Sequence, residues 1–274
     1  MSYPLTAIVA DLHGNRPALE TALHDAKERG VKRFVCLGDV VGYGADPRHN
    51  LDHIMRLCVP EPDGSALGFA PGELAGGLCL QGNHEYALLH SAEDFNPKAR
   101  AAIEWTREEL NRGDNRETNY DYWDFIGALS PLERDEAAAF AHGSPRGPVR
   151  EYMLPRDVQD AEKMRANFAS LAELERNVCF VGHSHVPAVY YADQRLYRPR
   201  DTEGPYDLGE VPCIVNVGSV GQPRDGDRRL SYGLFDGRNV TFVRCEYDVE
   251  EAQSKIRATQ ALPDYLADRL AVGR

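Results

Sequence analysis

Residues 6–39 read TAIVADLHGNRPALETALHDAKERGVKRFVCLGD, and their pattern decides the fold class. Thr6-Ala7-Ile8-Val9-Ala10 is a short apolar run of strand length. From Pro17 to Arg29 the residues Leu19, Ala22, Leu23 and Ala26 recur at helical spacing as one apolar stripe, which stops at Gly30. Arg33 to Leu37 is a second strand. With so short a crossover the two strands are expected to be parallel neighbours in a right-handed β-α-β unit.

Outward from this unit, apolar runs recur at Leu78 to Leu80, Ala137 to Ala141, Val178 to Val181, Val189 to Tyr191, Cys213 to Val217, Tyr232 to Phe235 and Val240 to Val243. Nine strands are enough for two sheets. Lys98 to Leu110 reads as an amphipathic helix with Ala102, Ile103, Thr106 and Leu110 inside, and Val158 to Leu174 as another. After Cys179 no helix separates the strands, so the second half is expected to be meander-like and antiparallel. The expected class is α/β. Residues 61–77 and 197–210, rich in Gly and Pro, read as surface loops, and residues 248–274 as a helical tail broken at Pro263. No compositional shift marks a boundary, so residues 1–274 read as one domain with a helical insertion at about 85–130 and the helical tail.

A chain of 274 residues can bury a proper core. Its 42% hydrophobic and 27% charged shares are ordinary for a globular protein, which argues against disorder. No apolar run approaches the ~20 residues of a membrane span. Met1-Ser2-Tyr3-Pro4 leads into the first strand without a basic segment and long apolar stretch, so no signal peptide is expected and the default location is cytoplasmic. Of the six scattered cysteines, Cys36, Cys79, Cys179 and Cys213 lie inside apolar runs, and no pair has the close spacing of a thiolate zinc site. They read as reduced core residues. A formal charge of −12 disfavours long nucleic acids as partners. It leaves open a small phosphorylated substrate whose charge bound cations would offset.

Five polar clusters each follow an apolar strand: Asp11-Leu-His13-Gly-Asn, Gly38-Asp39, Gly82-Asn83-His84-Glu85, His142-Gly and Gly182-His183-Ser-His185. In open α/β sheets the carboxyl ends of parallel strands form the ligand crevice, so five such turns can meet at one rim. Carboxylate, imidazole and amide oxygen suit two adjacent divalent transition metals, with one carboxylate bridging them. The one-residue gaps in Asp11-x-His13 and His183-x-His185 let both members of each pair address one metal cluster. Each cluster alone also reads as ordinary turn punctuation or, for His142, as a satisfied core histidine. Their order and common setting carry the argument. His24, His49, His53 and His90 have no such setting; His49 and His53 read as a solvated helix face, because Asn50 stands where a metalloprotease motif needs an acid.

Taken together, these residues resemble the calcineurin-like metallophosphoesterase superfamily over roughly residues 5–190. Residues 96–110, His142-Gly-Ser-Pro145 with Glu151-Tyr152, and residues 216–225 are similar to its bacterial and archaeal diadenosine-tetraphosphatase-like branch. The resemblance implies a four-layer α/β/β/α sandwich, two mixed sheets flanked by helices. It implies Asp11, His13 and His185 on one metal, Asn83, His142 and His183 on the second, and Asp39 bridging both. His84 would be the catalytic residue, protonating the leaving group or stabilising charge on the phosphoryl oxygens. Two ions about 3.5–4 Å apart can generate a bridging hydroxide for in-line displacement. Mn²⁺, Fe, Zn²⁺, Ni²⁺ and Co²⁺ all tolerate this donor set.

One departure bears on substrate. The related Ser/Thr protein phosphatases carry Gly-Asp-x-Val-Asp-Arg-Gly where this chain has Gly38-Asp39-Val-Val-Gly42-Tyr43-Gly44, so the acid and the arginine are both missing. Tyr43 offers a face for substrate or packs at the sheet edge, and Arg224, Arg228 and Arg229 follow a glycine-rich strand end from which one could reach a second phosphate. The leading expectation is a hydrolase of a small phosphodiester or nucleotide polyphosphate. The alternatives are a Ser/Thr protein phosphatase or phosphomonoesterase, or a non-catalytic binding module on the same fold, which would predict eroded ligands.

Overall fold

The computed structural model describes residues 3–113 and 115–274; the reading of Met1 and Ser2 lies outside them. The opening unit is β1 (Thr6–Val9), α1 (Arg16–Glu28) and β2 (Arg33–Cys36). Asn15 caps α1 by accepting from the Ala18 N–H at 3.2 Å, and Pro17 presets the first turn. β1 and β2 pair in parallel from Thr6↔Arg33 to Val9↔Cys36. Next come α2 (Pro47–Leu57), β3 (Leu78–Cys79), α3 (Asn83–Leu89), α4 (Pro97–Leu110) and α5 (Arg116–Ala128). A second sheet then begins with β4 (Leu132–Arg134), β5 (Ala139–Ala141), α6 (Ala161–Glu173), β6 (Val178–Val181), β7 (Ala188–Tyr191) and β8 (Leu196–Tyr197). The chain ends through β9 (Glu203–Asp207), β10 (Cys213–Asn216), β11 (Leu230–Phe235), β12 (Asn239–Cys245), α7 (Val249–Ala258) and α8 (Asp264–Asp268).

The strand orders are β3-β2-β1-β11-β12-β9 and β4-β5-β6-β10-β7-β8. Both sheets are mixed. Their facing surfaces share one core, in which Ile8, Val35 and Phe235 of the first sheet meet Phe140, Phe180 and Val215 of the second. Leu19, Leu23, Ile54 and Ile256 carry α1, α2 and α7 onto the outer face of the first sheet, and Met164 and Leu171 carry α6 onto the second. The result is the four-layer α/β/β/α sandwich. Central strands buried on both faces explain why β1, β2 and β10 read as continuous apolar runs without alternation.

Two expectations need correction. Residues 197–210 are not loop throughout, because β9 pairs antiparallel with β12 and closes one edge of the first sheet. Its polar, Gly- and Pro-containing sequence suits an edge strand, which lacks the apolar signature of a central one. The later strands are also not uniformly antiparallel, since β10 lies parallel to β6 with Cys213↔Val178 and antiparallel to β7. The crossover from β6 to β10 consists of β7, β8 and β9, so the lack of a helix did not force an antiparallel return. Residues 61–77 hold only a short 3₁₀ turn at Ser65–Leu67, and α7, α8 and a last 3₁₀ turn (Arg269–Val272) form the tail. All six cysteines are free and none is fully exposed. Among the described residues no helix is long and apolar enough to cross a membrane.

Candidate metal centre

β1, β2 and β3 run parallel in one sheet, as do β5 and β6 in the other. Their carboxyl ends open on one crevice, where polar turns from both sheets converge. Asp11 and His13 follow β1, Asp39 follows β2, Asn83 and His84 open α3 after β3, His142 follows β5, and His183 and His185 follow β6. All eight side chains are buried. Asp11, His13, Asp39, Tyr43, His183 and His185 have φ between 47° and 63°. Left-handed backbone at non-glycine residues costs on the order of 1–3 kcal/mol each and persists where function demands a particular side-chain aim.

Backbone carbonyls aim the imidazoles. His13 Nδ1 faces the Val41 carbonyl at 3.1 Å, His142 Nδ1 the Leu37 carbonyl at 2.9 Å and His185 Nδ1 the Gln222 carbonyl at 2.5 Å. A carbonyl only accepts, so each Nδ1 carries the proton and each Nε2 turns into the crevice. His183 is reversed: its Nε2–H donates to the Arg150 carbonyl at 3.2 Å, and its Nδ1 points inward. The inward nitrogens meet in two pairs, His13 Nε2 with His185 Nε2 at 3.2 Å and His142 Nε2 with His183 Nδ1 at 3.1 Å. Asp11 Oδ1 lies 3.3 Å from His185 Nε2, and Asn83 Oδ1 lies 3.0 Å from His142 Nε2. Asp39 Oδ2 stands between the pairs, 3.7 Å from His13 Nε2 and 3.4 Å from His142 Nε2.

The electrostatics call for cations. Burial, with the neighbouring His84 imidazole opposing a second positive charge, holds His13 well below the usual imidazole range, and burial with Arg224 does the same to His185. Two neutral Nε2 lone pairs therefore face each other with no proton between them, an arrangement that a positive ion would satisfy. Ligands at about 2.1 Å from one ion sit roughly 3.0–3.4 Å apart, which matches the observed spacing. Burial and His142 also lower His183, to about 3. Burial raises Asp11. Burial opposes ionisation of Asp39 too, but the surrounding imidazoles, His142 first, hold it well below the carboxylate range. His142 is pushed up to about 9, because Asp39 overcomes the burial that would lower it. A proton on His142 thus stands in for part of the charge a bound cation would bring. Asp11 with His13 and His185, and Asp39 with His142 and His183, are each close enough to hold one ion; His13, Asp39 and His84 form a third such group.

His84 Nε2 lies 3.9 Å from Asp39 Oδ2 and faces the cavity, whereas its buried Nδ1 has no hydrogen-bond partner. Burial lowers its pKa. Its ring is held by packing, edge-on to Tyr43 at 4.5 Å, to His13 at 4.7 Å and to Phe95 at 5.3 Å. Gly42, at φ 88°, completes the cage, because a Cβ there would lie 2.0 Å from His84 Nδ1. The absence of an acid at position 42 therefore has a steric reason in this chain. Gly42→Ala should displace the ring and lower kcat about 10²-fold, the scale for an ångström of misplacement, with metal content unchanged. Kinetics beside metal analysis decide it; normal kcat would mean that the cage does not position His84.

Glu85 ties the turns together, accepting from the Asp39 and Gly82 N–H groups at 2.8 and 2.9 Å. Burial, reinforced by the charge of Asp39, pushes it up to about 7. Sequence reasoning placed Glu85 in its cluster but found no role for it, since a carboxylate accepting from the backbone leaves no pattern. It also missed Phe95 and gave Tyr152 no task; Tyr152 stacks on His183 at 3.8 Å. Tyr43 and Arg224 both line the cavity of about 220 Å³ in front of the centre, with Arg224 5.8 Å from the Tyr43 ring. Arg228 and Arg229 turn away to Glu246 and Asp227. His49 and His53, on α2, pack against each other, His49 beside Glu20 of α1, and neither lines the cavity.

A rim of imidazoles and carboxylates between paired sheets defines a site able to hold metal ions, as a metal-dependent hydrolase requires. The chain belongs to the calcineurin-like phosphoesterase superfamily, whose domain matches residues 5–239. It is 32% identical to a metallophosphoesterase from Sphaerobacter thermophilus, whose crystal structure superposes with a TM-score of 0.79 over 99% of this chain and 100% of that one. A protein from Pyrococcus horikoshii shares the fold at a TM-score of 0.73, with 20% identity and 98% of each chain covered. An uncharacterized protein of Methanocaldococcus jannaschii is 33% identical over 98% of both chains.

Proposed function

We propose that this phosphoesterase uses two divalent ions and acts on a small phosphodiester or nucleotide polyphosphate. The observation that carries the reading is the position of Asp39 Oδ2 between two inward-facing nitrogen pairs. Asp11, His13 and His185 would hold one ion, Asn83, His142 and His183 the other, and Asp39 both. Mn²⁺, Fe, Zn²⁺, Ni²⁺ and Co²⁺ suit these donors. Bound there, such ions supply an activated water and neutralise charge on the phosphoryl group.

The remaining steps belong to side chains. His84 lines the cavity and would donate a proton to the leaving oxygen or a hydrogen bond to a phosphoryl oxygen. Tyr43 and Tyr152 line the cavity in front of the centre. Arg224, held to the Gln222 side chain at 2.7 Å, presents a positive charge beyond the centre. Tyr43 stands where the protein phosphatases carry an arginine, so a terminal dianionic phosphate loses a two-point grip that a singly charged diester does not need. Under one manganese condition, kcat/KM for a diester or a dinucleoside polyphosphate should exceed that for a phosphoserine peptide at least tenfold. Preference for the peptide would reassign the substrate class.

A further inference from the structure

A second cavity of about 540 Å³ adjoins the first and shares Tyr43, Asn96, Tyr152 and Arg224 with it. Its far wall is built from the start of α4 and the C-terminal tail, which contribute Lys98, Tyr265 and Arg269. The chain has 43 acidic residues against 31 lysines and arginines, yet no acidic side chain lines this cavity and three cations do. Lys98 and Arg269 both lean over the Tyr265 ring, with Nζ at 3.6 Å and the guanidinium carbon at 5.4 Å from its centre. Arg269 donates through Nε to the Arg274 main-chain oxygen, and Arg224 donates to Gln222. Among the described residues none of the three forms an ion pair with an Asp or Glu side chain, whereas Arg228, Arg229 and Arg244 nearby all do. Burial and the charge of Arg224 together hold Arg269 below its ordinary pKa, so the two guanidiniums repel each other across the cavity.

Like charges gathered with no acidic side chain among them are costly unless an anion joins them. We propose that Arg224, Arg269 and Lys98 form a second anion subsite, which takes the distal phosphates of a polyphosphate substrate whose scissile phosphate lies at the metal centre. Tyr43 and Tyr152, common to both cavities, mark the junction between the two subsites. Arg269 lies outside residues 5–239, so the C-terminal tail adds the selecting charge to the superfamily domain. The inference rests on the hydrolase reading above and names the substrate feature that the tail recognises.

Binding is tested first on metal-free protein, by calorimetric titration with inorganic tripolyphosphate. Wild type should bind, and Arg269→Met and Lys98→Ala should each weaken binding about tenfold. Arg269→Lys, which keeps the charge, should retain most of the affinity, and added salt should weaken it as screening requires. Lys98 is exposed, so its variant should fold even if the half-buried Arg269 proves sensitive. In manganese-loaded protein the ratio of kcat/KM for a dinucleoside polyphosphate to that for bis(p-nitrophenyl) phosphate should drop about tenfold in either variant. Tripolyphosphate binding unaltered by both substitutions, or an equal loss on the two substrates, overturns the subsite. Charge-dependent binding by a protein that hydrolyses neither compound would instead overturn the hydrolase reading and leave the subsite standing.

Discussion

Asp39→Asn should lower the occupancy of both proposed metal positions and reduce turnover by roughly 10³-fold or more, the equivalent of several kcal/mol of lost charge stabilisation. The substitution is nearly isosteric and keeps the local fold, since an amide oxygen can still accept from the His84 N–H, now 2.9 Å from Asp39 Oδ1. The other atom changes sign. Where Oδ2 lies 3.7 Å from His13 Nε2 and 3.4 Å from His142 Nε2, the amide places two N–H donors. Those donors would satisfy the lone pairs that otherwise ligate, and the negative charge that the two proposed cations would share is gone. Metal analysis after dialysis, with unfolding midpoints to confirm the fold, gives the answer. Two fully occupied positions with near-normal activity would remove Asp39 from the bridging place.

His84→Asn should leave both metals bound and slow hydrolysis by about 10² to 10⁴, the range for losing a general acid. The prediction separates two geometries, because His84 with His13 and Asp39 also forms a group able to hold an ion. If metal content falls with His84, it is a ligand. If metals stay, the leaving group distinguishes the remaining roles. A nitrophenyl ester departs without a proton and should lose little, whereas an alkyl ester should lose the full factor. Equal losses would assign His84 to stabilising phosphoryl charge. The backbone contact from residue 84 to Asp39 survives the change, so the variant tests the ring alone.

The β-α-β opening was legible because burial on both faces writes itself into β1 and β2 as unbroken apolar runs, and the α1 stripe has helical period. The clusters at Asp11, Asp39, Asn83, His142 and His183 were legible as polar breaks directly after such runs. The edge strand β9 was not, since solvent on one side removes the apolar signal, and the parallel placing of β10 was not, since pairing partners leave no local pattern.

By itself the sequence determined which side chains end strands, and so which donors can reach a strand-end rim, because chain order and strand period are local properties. Only the tertiary structure decided what those donors face. Carbonyls at Val41, Leu37 and Gln222 select the tautomers, and Gly42 clears the place of His84. Lys98 and Arg269, 171 residues apart in a chain of net charge −12, share one ring in a cavity without an acid. Distance and burial set these interactions, and neither is a function of sequence separation.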